Sequence, residues 1–202
     1  MKDIVYTNSM ISAHMAVHML DQPRIGAMLR ARDFQAAAAI LSECDYMVTA
    51  GTADQIIESA RKNTLEMFFK YCPDRAIAAC VTAMYEFSTK KLSGNETLPQ
   101  AEKKLYDTIT KELKNIKYEN VKQWFLVYVN AFQNHVKIPE SQLFNLAYEM
   151  RTDIDGAGLL FYWYVFKQSE FAAVKTILFG RQFNFNRERI MENLRGLYDR
   201  FK

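Results

Sequence analysis

Residues 156–166 read GAGLLFYWYVF, closed by Asp155 before the run and Lys167 after it. Positions 159–166 are apolar on every side of a helix, a pattern that demands burial all round and reads as a central core helix. Eleven residues rise about 16 Å as a helix, well short of the ~30 Å hydrocarbon core of a bilayer. The run is therefore a buried helix in a soluble or peripheral protein. Working outward, the helical pattern continues to residue 180.

The whole chain supports helices. It has 202 residues, 7 Gly, 4 Pro, 50% apolar and 13% aromatic residues. So few turn residues argue against a sandwich or barrel, and so many apolar ones argue against disorder. A chain of this mass can bury about 70% of its unfolded surface, so a core needs no metal or disulfide staple.

Periodicity predicts helices over 5–20, 24–31, 34–42, 54–71, 74–92, 98–117, 120–137, 140–151, 157–180 and 186–200. Pro23, Pro73 and Pro139 stand at helix starts, where a missing N–H costs nothing. Asp33 is placed to cap the third helix. The most polar break runs Ser93-Gly94-Asn95-Glu96-Thr97. It suggests two helical modules, 1–95 and 96–202, built of hairpins joined by short connections. The expected fold is all-α: packed helical bundles with about two related modules.

Net charge is +3, and the excess is confined to the end of the chain, where residues 167–202 carry 8 basic and 4 acidic side chains. A cluster there suits a solvated helix face, an acidic partner or an anionic surface. The balanced remainder argues against a nucleic-acid footprint. Cys44, Cys72 and Cys80 form no CxxC pair and read as reduced core thiols, and the N-terminus MKDIVYTNSM lacks an apolar signal region, so a cytoplasmic location is expected.

The motifs of chemistry are missing. His14 and His18 are spaced i, i+4, but no glutamate makes them an HExxH pair, so packed or surface histidines are the better reading and no metal or cofactor is expected. His135 beside Asn134 is no stronger. Gly156-Ala157-Gly158 follows Asp153 and Asp155, whose charges repel phosphate, and reads as a helix start. Acidic pairs such as Asp153/Asp155 and Glu188/Glu192 read as solvated surface. The stripe Trp124, Phe125, Tyr128 and Phe132 reads as core rather than a base-stacking platform, because Lys122 is its only basic neighbour. No residue is singled out as catalytic, and the chain does not read as an enzyme.

The order of residues carries more. The opening holds Tyr6, Asn8-Ser9, Ile11, Ala13, Met19-Leu20, Ile25, Met28-Leu29, Ala31, Asp33, residues 36–41 and Asp45-Tyr46. It resembles the first helices of the C subunit (eukaryotic subunit d) of V-type and archaeal-type rotary ATPases. There an amphipathic helix leads into two short helices separated by a small residue and Asp, ending at an Asp-Tyr pair. The closing stretch holds Glu170-Phe171, Val174-Lys175, Ile177-Leu178, Gly180-Arg181, Arg187-Glu188, Ile190 and Leu194-Arg195. It is similar to that family's last helices. Family members are usually longer, with three related modules, and their first helix often carries basic residues where this one has Met10, Ser12 and His18.

The resemblance implies a non-catalytic socket of the central stalk, peripheral on the cytoplasmic face of the membrane. It would seat the shaft on the rotor ring and pass torque during ATP-linked proton or sodium transport. Its partners would be the shaft subunits and the ring, with no nucleic acid. Arg24, Arg30, Arg32, Lys175, Arg181 and Arg187 are the candidate partner-binding rim. Arg189, Arg195 and Arg200 add to a C-terminal face directed at an acidic partner or anionic lipid. The alternative is a stand-alone helical adaptor or regulatory binding module.

Overall fold

The computed structural model describes residues 4–46, 48, 51–93, 97–133 and 140–198. Among them every regular element is helical and none is a strand, as expected. The helices are α1 (Ile4–His18), α2 (Gln22–Arg30), α3 (Phe34–Leu41), α4 (Ala53–Tyr71), α5 (Arg75–Ser93), α6 (Leu98–Leu113), α7 (Glu119–Gln133), α8 (Glu140–Glu149), α9 (Gly158–Gln182) and α10 (Arg187–Tyr198). A short 3-10 turn, Met150–Thr152, follows α8. His135, Pro139, Arg200 and the break residues Gly94, Asn95 and Glu96 lie outside the described residues.

Local chemistry sets the helix starts. Pro23 sits in the first turn of α2, and the Asp21 carboxylate accepts the Arg24 N–H at 2.9 Å. Asp33 caps α3 through the Ala36 N–H at 2.8 Å. Asp74, buried, caps α5 through the N–H groups of Ala76 and Ile77, which would otherwise have no partner.

The chain packs as two compact units, each built from two separated stretches: residues 1–9 with 68–162, and residues 10–67 with 163–202. This division follows packing and differs from the sequential one at 95/96. In the first unit, α5 packs along α6, α6 against α7, and α7 against α8. The α6 helix ends at Leu113, short of the expected 117. One cause is visible: the Lys117 N–H is taken by the second oxygen of Asp74 at 3.0 Å, which ties the segment before α7 to the start of α5. Trp124 is 3% exposed, donates its indole N–H to the Leu143 carbonyl at 2.8 Å, and meets Phe161 edge-on at 5.0 Å. The aromatic stripe of α7 is thus core at Trp124 and Phe125; the side chain of Phe132 lies outside the described residues. The Gly156-Ala157-Gly158 turn is a helix start, with Asp153 accepting the Gly158 N–H at 3.1 Å. Asn8, also buried, donates to the Ile154 and Gly156 carbonyls of the same turn.

In the second unit, α2 packs against α3 and α10. Gly180 of α9 is required by that packing, because a Cβ there would lie 2.6 Å from Ile190 Cδ1 of α10. Asn184, at φ 56°, takes the left-handed turn that ends α9. The run from Leu159 to Phe166 belongs to the first unit up to Tyr162 and to the second from Trp163, and only Val165 in it is not buried, as the all-round apolar pattern requires.

Candidate functional site

The polar centre of the second unit is built on α9. Lys167 and Glu170 lie one helical turn apart and are both buried, the Nζ donating to Oε1 at 2.6 Å. The same oxygen accepts the Tyr46 hydroxyl at 2.8 Å, and Oε2 accepts the Leu20 N–H at 3.0 Å. One carboxylate thus fastens α9 to the turn between α1 and α2 and to the loop after α3. Burial, then the Glu170 charge, pushes the Tyr46 phenol well above its ordinary value, so it stays protonated as the donor this network needs.

Beside this network is a cavity of about 380 Å³. Trp163, Phe171 and Met67 give it apolar walls, and His14, Asp45 and Lys167 bring polar groups to it. His14 Nε2 lies 2.8 Å from one oxygen of Asp45, and His18 Nδ1 lies 3.3 Å from the other. Asp45 adopts φ 63°, the left-handed region that a residue with a side chain seldom occupies. Burial lowers the His14 pKa, and the charges of His18 and Lys167 add to this; Asp45 and Glu170 oppose it.

The sequence singled out His14 and His18 but paired Asp45 with Tyr46 only as part of a motif. Its approach to the two imidazoles depends on how the loop after α3 folds back on α1, which no local spacing encodes. Lys167 was read as the polar end of an apolar run, yet it is 3% exposed. The signal for its burial was Glu170 three residues on, an i, i+3 partner on the same face.

The candidate rim residues divide. Arg24 donates to the carbonyls of Met19 and Val17 at 2.9 and 3.3 Å, holding the α1–α2 turn. Arg181 donates to the Leu29 carbonyl. Lys175 pairs with Asp54 at 2.6 Å and lies over the Phe179 ring. Arg30 and Arg187 are exposed; Arg32 is exposed and reaches Asp33 at 3.0 Å. Of the added C-terminal residues, Arg189 is exposed against the Phe185 ring, and the Arg195 side chain lies outside the described residues. No helix among the described residues is long and apolar enough to cross a membrane. Comparison with protein-family models, with curated proteins and with solved structures finds no match to this chain.

Proposed function

We propose that this protein is a non-catalytic coupling subunit of a V/A-type rotary ATPase, seating the central shaft on the membrane rotor ring. One observation carries the reading: the closing stretch and the opening stretch from residue 10 onward, at opposite ends of the sequence, fold into one unit, and residues of the resemblance join them. Leu20 and Tyr46 from the opening both bond Glu170 from the closing stretch. Arg181 bonds the Leu29 carbonyl, and Gly180 admits Ile190. Ile11, Ile25, Met28, Leu41, Val174, Ile177 and Leu194 are all fully buried. A shared pattern that merely reflected helical periodicity would not select the Glu, the Tyr and the Gly on which the packing depends.

The role needs stiffness and complementary surfaces rather than a nucleophile. Close-packed helices transmit strain because interiors have crystal-like density. The socket would offer an apolar floor and a polar rim to the tip of a helical shaft. The test is a pull-down of the purified shaft subunit with the folded protein. A stable stoichiometric complex that also retains the rotor ring is expected. A folded protein that captures neither would end this reading and favour a stand-alone adaptor.

A further inference from the structure

We propose that His14, His18 and Asp45 form a binding site for Zn²⁺ or a similar late first-row divalent cation, with the neighbouring cavity supplying the remaining coordination position. The observation is a convergence of donor atoms: one nitrogen from each imidazole and one carboxylate oxygen lie within 4.8 Å of one another. Ligand atoms held 2.0–2.1 Å from a tetrahedral zinc are about 3.3 Å apart. The histidine–aspartate separations of 2.8 and 3.3 Å are of that order, each imidazole facing a different oxygen of the carboxylate, so one oxygen must turn between the two rings. The set must close by about 1.5 Å at its widest, within reach of the half-exposed His18 and Asp45 side chains, which are 36% and 39% exposed.

The scaffold aims these groups. The two histidines share one face of α1 at i, i+4. Asp45 is fixed from both sides: the Cys44 N–H bonds the Leu41 carbonyl at 2.9 Å, and Tyr46 is anchored on Glu170. Its left-handed backbone turns the carboxylate back toward α1. Such a conformation is unfavourable for a residue with a side chain and persists where surrounding structure enforces it. His14, partly buried, presents a lone pair to a cation when its tautomer places the proton on the other ring nitrogen. Two imidazoles and a carboxylate suit zinc and its neighbours and suit Mg²⁺ poorly, since Mg²⁺ demands oxygen donors. Three protein ligands beside an open space are the arrangement of zinc sites that keep a position for water or an exogenous ligand. His14 and Asp45 both line the 380 Å³ cavity, so that position opens into it.

The experiment is calorimetric titration of the full chain with ZnCl₂ alone and, separately, MgCl₂, on wild type, His18→Ala and Asp45→Asn, each checked for folding by circular dichroism. Asn tolerates the left-handed backbone, and His18 is half-exposed, so at least one variant remains a valid probe. Wild type should take up one Zn²⁺ per chain and no Mg²⁺. Each folded variant should bind at least about tenfold more weakly, by analogy with the 10–100-fold cost of disturbing even the groups behind zinc ligands. No zinc uptake by wild type, or uptake unchanged in a folded variant, for instance through Cys72, would overturn the assignment. The outcome is independent of whether the protein binds a shaft.

Discussion

Replacing Glu170 by Gln removes one charge and almost no volume, so it isolates the polar fastening of the second unit. In the native chain the carboxylate receives three donors, from Lys167, Tyr46 and the Leu20 backbone, and is 0% exposed. An amide cannot accept all three, and its own N–H₂ must face one of them. Lys167 would be left as a buried cation without its counter-charge. Removing one partner of a buried pair costs about 3–5 kcal/mol. A chain of this size loses ~2–4 °C of melting temperature per kcal/mol, so the variant should melt roughly 6–20 °C below wild type. The companion double variant, Glu170→Gln with Lys167→Met, removes both charges and keeps an apolar stem of similar length. It should recover most of the loss, because exchanging a whole buried pair for apolar groups is often neutral or better. Thermal and urea unfolding, with unchanged urea dependence as a check on two-state behaviour, measure both. A single variant that loses less than about 1 kcal/mol, or a double variant as unstable as the single, would refute the claim that Glu170 is held chiefly to neutralise and organise its buried donors.

Asp74→Ala should destabilise the first unit by about 2–4 kcal/mol in urea unfolding, the sum of a lost helix cap and of the Lys117 N–H left without its acceptor. Trp124→Phe should cost about 1–3 kcal/mol, because the Leu143 carbonyl loses its donor and a phenyl ring only partly fills the space of the buried indole. Burial pushes the Cys80 thiol from 9.0 up to about 12. The unfolded chain therefore loses that proton first, so the Cys80 contribution to stability should be flat below about pH 9 and fall from pH 9 toward 12, making the alkaline fall shallower in Cys80→Ala. On the proposed coupling role, reversing Arg30, Arg32 and Arg187 to Glu should weaken capture of a rotor ring in a salt-dependent way; unchanged capture at low and moderate salt would exclude those charges from the interface.

What was legible in the sequence was mostly what neighbours within a few residues govern. Asp33 and Pro23 announced the starts of α3 and α2, and the Leu159–Phe166 run announced a buried helix, since capping and periodicity are local rules. The end of α6 was not legible, because the Lys117 N–H is claimed by Asp74, 43 residues earlier. The same limit applies to the cavity. The i, i+4 spacing of His14 and His18 was visible, but a third donor had to come from a left-handed loop residue, and neither Asp45's backbone angle nor its direction follows from its neighbours. Lys167 shows the opposite failure: a local rule, that lysine marks a surface, was overridden by a buried carboxylate one turn away.

The distribution of the basic residues then sharpens what a partner could touch. Arg24 and Arg181 were grouped with the rim as basic residues at helix ends, yet each donates to backbone carbonyls that cap or join helices of its own unit. Such donors satisfy groups that would otherwise be left unpaired at helix ends, so their substitution should act on stability before it acts on binding. Lys175 is partly engaged with Asp54, an exposed pair of the kind worth only a fraction of a kcal/mol and easily exchanged for another anion. Arg30, Arg32 and Arg187 hold no comparable internal role among the described contacts, and Arg189 rests on an aromatic ring while keeping its charge in solvent. If an acidic surface docks on this unit, these exposed guanidinium groups are the ones able to change partner without dismantling the fold, which is why the charge-reversal test is placed on them and not on Arg24 or Arg181.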